Sequence, residues 1–170
     1  MVDTQLNKAS AFSFQLTFPM VPIQKEVKEG EELVLNIYDT IIPGITLGFN
    51  EERWQGAKSI MSTGIIDFSQ WNITFGVDSE FKNWKMLYNW MMFVNNNKNR
   101  YIKKHSIYSV DATLSIIDNF KANIFSLRFI DVWPNNLGDV SLNYREGESN
   151  LECSATFAYD RYEIKDQINI

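Results

Sequence analysis

The sequence is poor in the side chains that catalysis and covalent cross-linking require. Its 170 residues include one cysteine and one histidine. A single cysteine excludes an internal disulfide framework, and one cysteine with one histidine is too few for a His/Cys zinc site. Cys153 falls in the apolar phase of a strand pattern, which predicts a buried thiol, and His105 follows two lysines in a polar stretch, which predicts an ordinary exposed imidazole. We therefore expect no enzyme activity, no metal and no cofactor.

Two further shortages narrow the class of protein. Basic residues number 16 against 21 acidic ones, so the formal net charge is −5. This balance argues against a general nucleic-acid binder, which carries a basic excess. No apolar run approaches the roughly 18 residues that a membrane helix needs, so no membrane anchor is predicted. Neither a phosphate-binding glycine motif nor a nucleophile-elbow motif is present.

Apolar and aromatic residues are plentiful, at 45% and 14% of the chain. This amount predicts one well-buried domain over residues 1–170. Alternating apolar residues predict a mainly β fold. We expect an N-terminal strand and a charged hairpin tip in residues 1–32, where residues 11–18 form a hairpin with residues 33–38. Further strands are expected at 68–77 and through 107–164, with a turn at Pro134–Gly138.

One segment has helical rather than strand periodicity, and it predicts a single α-helix over residues 79–95, with Ser79 as its N-cap. The apolar positions predicted to face the sheet are Phe81, Trp84, Leu87, Tyr88, Met91 and Val94. The apolar residues Met86, Trp90, Met92 and Phe93 lie off this stripe. Such a surplus is typical of a helix with a second buried face, as at an oligomer contact.

Residues 40–64 fit neither pattern. Pro43-Gly44 is a turn dipeptide, and Gly48, Gly56 and Gly64 interrupt the apolar residues that follow. We predict a long loop or irregular strands here. Because so long a structureless loop is uncommon inside a compact domain, its apolar residues are expected to pack against something, either this domain or a neighbour.

The C-terminal third resembles the tail-tube protein family of contractile-tailed bacteriophages. The resemblance lies in the order of a strand, the Trp133-Pro134 turn, the Gly138-Asp139-Val140 strand, a polar turn at 148–150 and an aromatic-rich end at 157–162. IIPGITLG at 41–48 and FSQWNITFGVDSEFKNWKMLYNWMM at 68–92 are similar to upstream parts of the same family, in the same order. The N-terminus departs from the family, which often begins with a helical arm.

The resemblance implies an antiparallel β-sandwich or barrel-like tail-tube fold that forms hexameric rings. Stacked rings would make a hollow tube inside a contractile sheath, and DNA would pass through the tube into the host. The implied partners are the sheath protein, the baseplate or tube initiator, the tail terminator, the tape measure protein and DNA in transit. The implied location is the virion tail, assembled in the host cytoplasm.

The resemblance also suggests roles for particular residues. Loop 40–64 is the predicted contact between subunits and rings, through Ile41, Ile42, Pro43, Gly44, Ile45, Leu47 and Trp54. The predicted lumen lining comprises the polar-phase residues Gln70, Asn72, Thr74, Ser115, Glu152 and Thr156. The predicted sheath-facing residues are the basic cluster Lys98, Arg100, Lys103 and Lys104.

Other readings remain open at this level. A tube initiator, a baseplate adaptor ring or a needle-like tube of a related secretion system would have the same fold and form rings as well. A small-ligand-binding β-barrel belongs to another class and would be a monomer with a closed pocket. An enzyme ranks last, because the sequence has no visible cluster of acid, base, nucleophile or metal ligands.

Overall fold

The computed structural model describes residues 14–18, 35–54, 56–95, 107–117, 123–142 and 150–165. In these ranges the chain forms nine β-strands and one α-helix, which confirms the predicted mainly β fold with a single helix. The predicted charged tip at 24–32 lies outside the described residues. In chain order the elements are β1 (Phe14–Thr17), β2 (Asn36–Thr40), β3 (Ile45–Trp54), β4 (Ala57–Phe68), β5 (Trp71–Gly76), α1 (Lys82–Asn95), β6 (Val110–Ile117), β7 (Asn123–Leu137), β8 (Glu152–Ala158) and β9 (Arg161–Lys165).

Seven strands form one antiparallel sheet in the order β1-β6-β7-β8-β5-β2, with β9 also paired to β7. The long strand β7 divides this sheet into two halves. Residues before Trp133 pair with β6 and β9, whereas Trp133 to Leu137 pair with β8. Between these parts Asp131 has a φ of 56°, a local kink of the kind that redirects a strand. The two halves pack as a sandwich, and the described strands do not close into a barrel.

Strand partners differ from the sequence prediction in one respect. The first two strands do not form a hairpin, because β1 pairs with β6, where Leu16 lies opposite Leu114, and β2 pairs with β5, where Ile37 lies opposite Phe75. The predicted alternation is present in β1, where Phe14 and Leu16 are half-buried and the residue after each of them is exposed. However, alternation specifies which face of a strand is buried and not which strand lies beside it.

The predicted turn at Pro134–Gly138 is also wrong, because β7 continues to Leu137 and pairs Pro134 with Phe157. Proline lacks a backbone N–H and is tolerated in a sheet at an edge, at the first residue of a strand or at a bulge. This part of β7 pairs with β8 alone, so it forms such an edge in the described sheet. The apparent turn signal is therefore an edge-strand signal.

The core lies between the two halves and is built mainly from aromatic rings. Trp71 of β5 stacks on Phe129 of β7, with 4.0 Å between ring centroids and an interplanar angle of 3°. Phe157 of β8 packs against Trp71 and against Trp90 of the helix. Cys153 is buried as predicted, and burial raises the pKa of its thiol, so it is an inert core residue. Further large aliphatic and aromatic side chains enclosed in this core are Ile73, Phe75, Leu87, Leu114, Leu127 and Val132.

The helix begins with a side-chain cap different from the predicted one. Ser79 is not the cap; the carboxylate of Asp78 accepts a hydrogen bond from the backbone N–H of Asn83 at 3.3 Å. Asn83 returns the bond, since its Oδ1 accepts from the Asp78 N–H at 3.2 Å and from the Trp84 N–H at 2.8 Å. Its Nδ2 also donates to the Gly76 carbonyl at 2.8 Å. Asn83 is buried and ties the helix start to the end of β5.

The buried face of the helix is centred on Asn83, Leu87 and Trp90. This face is rotated from the predicted stripe: Tyr88 is 44% exposed, whereas Trp90 is fully buried and donates from Nε1 to the Tyr108 carbonyl at 2.7 Å. The spacing of these three residues is i, i+4 and i+7, a regular helical stripe. The prediction failed because it did not count the polar Asn83 as a core position.

We expect Asn83→Ala to lower the free energy of unfolding by about 2 kcal/mol, because it leaves several helix-start groups without partners. Urea denaturation measures this loss. Asn89→Ala is the matched control, since Asn89 is an exposed residue on the same helix. Equal stability of the two variants would contradict the assigned role of Asn83.

Candidate assembly surface

Residues 45–68 form a two-stranded arm, made by β3 and β4, which pair with each other and with no other described strand. The predicted long loop is therefore corrected to a paired ribbon, closer to the irregular strands given as the alternative. Trp54 pairs with Ala57, so two residues make the connection, and Gly56 has the positive φ of 84° that hairpin turns favour. The glycines favour a loop in the sequence pattern because they interrupt the apolar alternation.

One face of the arm carries most of its exposed apolar side chains, beside the ion pair of Lys58 with Glu51. Met61 and Ile65 are exposed on the other face. Partners in an antiparallel pair point to the same side of the ribbon, so Leu47 and its partner Ile66 share one face. Ile60 pairs with Glu51, which lies two positions after Phe49 and is therefore on the same face as Phe49. Five of its apolar side chains are more than half exposed, from 51% for Leu47 to 61% for Phe49. We call this surface the apolar arm face, and its residues are Ile45, Leu47, Phe49, Ile60 and Ile66. An exposed apolar cluster on a ribbon that lacks its own core is typical of a protein contact.

The arm joins the body at a compact root, defined as Pro43, Gly44, Phe68 and Ser69. The Ser69 N–H donates to the Gly44 carbonyl at 3.0 Å, which holds the two root segments together. Two tyrosines bind the root from the body. The Tyr162 hydroxyl donates to the Pro43 carbonyl at 3.0 Å, and the Tyr159 hydroxyl donates to the Ser69 carbonyl at 2.6 Å.

Burial, together with the nearby Tyr162, raises the pKa of Tyr159 to about 12 from the ordinary 10.0. A raised pKa means that the folded chain favours the protonated hydroxyl. The contribution of the Tyr159 hydroxyl to the free energy of unfolding is thus complete below pH 10.0, and it is lost as the pH rises toward about 12. We expect Tyr159→Phe to remove the phenol that ionises near pH 12 from an ultraviolet titration. An unchanged high-pH phase in that variant would contradict this origin of the raised pKa.

The predicted subunit-contact residues lie at the arm or beside it. Ile45 and Leu47 belong to the apolar arm face, and Ile41 and Ile42 precede the root with 45% and 49% exposure. Trp54 ends β3, and its side chain is not described. Gly44 is part of the root. Pro43 is a correction, because it is fully buried within its own chain and offers no surface to a neighbour.

Sequence reasoning missed Phe49, Ile60 and Ile66 as members of this face. A signal for Phe49 existed, since Ile45, Leu47 and Phe49 alternate in the sequence. Ile60 and Ile66 are separated by Gly64, which has a φ of 72° at an irregularity where β4 has more residues than β3. The pairing that brings them beside Leu47 and Phe49 is not visible in the local pattern.

Most of the predicted lumen residues share the outer face of one sheet half. Asn72 pairs with Thr156 across β5 and β8, and the Thr156 hydroxyl donates to Asn72 Oδ1 at 2.8 Å. Thr74 lies on the same face, as does Glu152 at the start of β8, and Gln70 immediately precedes β5. Ser115 lies apart from them on β6, with its hydroxyl 3.1 Å from that of Ser126.

We define the polar sheet face as the residues that share the outer side of β2, β5 and β8: Asp39, Asn72, Thr74, Glu152, Ser154 and Thr156. Its ionisable groups are the carboxylates of Asp39 and Glu152, and among its described residues there is no lysine or arginine. Such a surface does not attract a polyanion, because it has no positive charge to pair with phosphate. The predicted sheath-facing residues Lys98, Arg100, Lys103 and Lys104 lie outside the described residues, as does His105.

Other kinds of site find little support in the part of the chain that the structure describes. No cluster of three or more His, Cys, Asp or Glu side chains could hold a metal there. No described helix is long and apolar enough to span a membrane. A cleft of about 430 Å³ opens between β1 and β2, lined by Phe14, Gln15, Leu16, Leu35, Ile37 and Tyr38. It lies at the open ends of the sheet, unlike the closed interior pocket of a ligand-binding barrel.

Comparison with known proteins decides the family. The profile of the family described as phage tail tube protein matches residues 7–165. The chain belongs to the phage tail tube protein family. This membership confirms the resemblance seen in the sequence and agrees with the prediction of a structural protein rather than an enzyme. A phage tail tube family protein is located in the tail of the virion.

Proteins similar in sequence or in structure match nearly the whole chain. The tail tube terminator protein of Enterobacteria phage T4 is 26% identical over 94% of this chain and 90% of its own length. A chain in the cryo-EM structure of the anti-feeding prophage cap, a tube-terminating cap, superposes with a TM-score of 0.64 at 18% identity, covering 97% of this chain and 99% of its own. A chain of the PVC sheath–tube complex of an extracellular contractile injection system gives 0.63 at 15% identity, covering 97% and 98%.

Proposed function

We propose that this chain is a ring-forming subunit that caps one end of a contractile tail tube, a tube terminator. The observation that carries the ring-forming part is the apolar arm face, whose five side chains are each more than half exposed. A two-stranded ribbon is marginally stable on its own in water. The proposed occupant of this face is a second copy of the same chain, because symmetric homo-oligomers are the usual assembly of soluble subunits.

The energy available from the arm is adequate for assembly. Burying a fully exposed aliphatic or aromatic side chain contributes about 1.5–3 kcal/mol. With roughly half of each side chain left to bury, the five residues supply about 5 kcal/mol per contact before the costs of association. A closed ring repeats this contact at every interface, so the gain multiplies with ring closure. A homohexamer is the ring size that the family resemblance implies.

The choice of terminator over repeating subunit rests on sequence similarity. The T4 terminator is 26% identical to this chain over almost its whole length, so no large part of either chain is unmatched. A terminator ring must bind the tube on one face and must not present the surface that would add another ring of tube. Such a ring would associate with the tube, the sheath and the structures joined to the tube end.

The polar sheet face supports a further part of the proposal, that the ring encloses a passage for DNA. Its described residues are neutral or acidic, which would let DNA slide rather than bind. Tape measure protein and DNA would pass through this lumen during tail assembly and DNA ejection into the host. The net charge of −5 per chain acts in the same direction.

A repeating tube subunit is the second candidate, because the matching family is described as tail tube protein and its profile spans residues 7–165. Such a subunit would use both ring faces equally and would polymerise. It would then make a hollow tube within the sheath, growing from a baseplate initiator. The two candidates share the fold and the arm and differ in whether assembly stops.

Negative-stain electron microscopy of the purified chain distinguishes them. We expect discrete rings over a concentration series, with no tubes, and rings bound to one end of tubes isolated from tails of the same virus. Isolated tubes imaged without the purified chain are the control, because they show how the tube ends look before any ring is added. Tubes that grow in length with concentration would support the repeating subunit instead. Monomers at every concentration, with and without isolated tubes, would contradict ring formation altogether.

A further inference from the structure

We infer that Tyr159 and Tyr162 are positioning residues whose hydroxyl groups set the angle of the arm on the body before assembly. This inference rests on the proposed function in so far as the arm makes the contact between copies. The two hydroxyl contacts determine where the apolar arm face points.

Each tyrosine binds one of the two segments that lead into the arm. Tyr162 donates to the Pro43 carbonyl on the segment that leads into β3, at 3.0 Å. Tyr159 donates to the Ser69 carbonyl on the segment that leaves β4, at 2.6 Å. Since the Ser69 N–H also binds the Gly44 carbonyl, the two segments are held to each other as well. One attachment would leave the ribbon free to rotate, whereas two attachments on different segments fix its direction.

The tyrosine rings are themselves held by the core. Phe129 lies 5.1 Å from the Tyr159 ring and 5.5 Å from the Tyr162 ring, measured between centroids. Phe129 in turn stacks on the fully buried Trp71. On the arm side, Phe68 packs against Tyr162 at 5.2 Å and against Tyr159 at 6.1 Å. The hydroxyls therefore extend from a rigid aromatic cluster and not from a mobile loop.

The rest of the arm has little to hold it in place. All residues of β4 except Phe68 are exposed, and β3 and β4 pair with no other described strand. An arm without fixed direction would pay an ordering cost at each contact when a ring closes. Preorganised arms avoid that cost, because the apolar arm face already points in the direction required by the neighbour.

The Tyr→Phe change isolates this role, because it removes the hydroxyl and keeps the ring in the cluster. A hydroxyl-to-carbonyl hydrogen bond contributes a modest net free energy. Removing both tyrosine hydroxyls should therefore weaken ring assembly by about tenfold to thirtyfold. The variant chain should stay folded, since the aromatic packing among Phe68, Phe129 and the two rings is unchanged. Near-ultraviolet circular dichroism checks this point, and the two single variants serve if the double variant is unstable.

Arm direction is measured by electron paramagnetic resonance distances in the unassembled full chain. Spin labels are attached at Ser59→Cys on the arm and Asn89→Cys on the exposed side of α1, while the buried Cys153 stays unlabelled. We expect one narrow distance distribution with both tyrosines present and a broad one in the Tyr159→Phe/Tyr162→Phe variant. Tyr88→Phe, on the exposed face of the helix, is the matched control and should leave the distribution narrow.

The distance distribution and the assembly measurement are read separately. An equally narrow distribution in the double variant would overturn the inference, whatever the variant does in assembly. A broadened distribution with unaltered ring formation would overturn the role in assembly. If neither the parent chain nor the variant forms rings, the proposed function fails, and the distances alone still decide whether the hydroxyls hold the arm.

Discussion

Replacing Leu47, Phe49 and Ile60 together with serine should abolish ring assembly while leaving the chain folded. These three side chains are 51%, 61% and 61% exposed in the single chain, so the body loses little packing when they are removed. In a ring their exposed parts would be buried, at about 1 kcal/mol each. The triple variant should therefore weaken each contact by about 3 kcal/mol, or roughly a hundredfold. Sedimentation velocity measures the shift from rings to monomers.

The matched control changes the opposite face of the same arm. Thr46, Asn50 and Ser59 alternate with the apolar residues, and all three are exposed. Their replacement by alanine leaves the apolar arm face intact and should leave the ring fraction close to that of the parent chain. Equal loss of assembly in both variants would indicate a general disruption of the arm. Unimpaired rings in the serine variant would contradict the role of the apolar arm face.

Trp71→Ala should cause the largest loss of stability, about 4 kcal/mol. Trp71 has no exposed surface, stacks on Phe129 at 4.0 Å and donates from Nε1 to the Thr40 hydroxyl at 3.0 Å. Its removal opens a cavity between the two sheet halves and leaves the ring beneath the root tyrosines without support. Since small domains are stabilised by only about 5–15 kcal/mol, this loss is a large part of the total.

Urea denaturation with a fluorescence readout measures the effect of Trp71→Ala. Trp71→Phe should lose about half as much stability as Trp71→Ala, about 2 kcal/mol, because it keeps an aromatic ring in the core while losing the indole N–H. Leu142→Ala is the control for a change of a large apolar residue at the surface, where Leu142 is 74% exposed. A midpoint for Trp71→Ala close to that of Leu142→Ala would contradict the placement of Trp71 in the core.

Local pattern was sufficient for the elements that pack against the core. Cys153, Ala155 and Phe157 alternate in the sequence and are all buried in β8, so period and burial agree there. The helix was also predictable, although its buried face was not. Asn83 is buried because of its hydrogen bonds to Asp78 and Gly76, and these contacts leave no apolar mark in the sequence.

The arm and the path of β7 needed information that local pattern does not contain. Neither face of the arm packs on a core, so its residues do not alternate between buried and exposed positions. The pairing of β3 with β4 is what makes both strands regular. Pro134 stands in a strand because that part of β7 is an edge, and edges are a property of the whole sheet. For the candidate site, Ile45 and Leu47 were predictable, whereas Ile60 and Ile66 depend on cross-strand register.

The polar sheet face contains four of the six residues predicted to line the lumen, and that role stays a prediction. The polar phase of two predicted strands contains Asn72, Thr74, Glu152 and Thr156, and these strands, β5 and β8, are neighbours in the sheet. Ser115 met the same criterion but lies on β6, in the other half. The alternation of polar residues shows that a side chain points away from the core. Only the order of the strands determines which outer face contains it.

The most direct test of the proposed terminator is the number and position of its copies in an assembled tail. Quantitative mass spectrometry of purified virions gives the ratio of this chain to the repeating tube protein, and cryo-electron microscopy of the same tails locates it. We predict a single ring at one end of the tube, with a copy number that does not change with tail length. Copies distributed along the whole tube, in proportion to its length, would contradict the terminator and assign the chain to the tube wall.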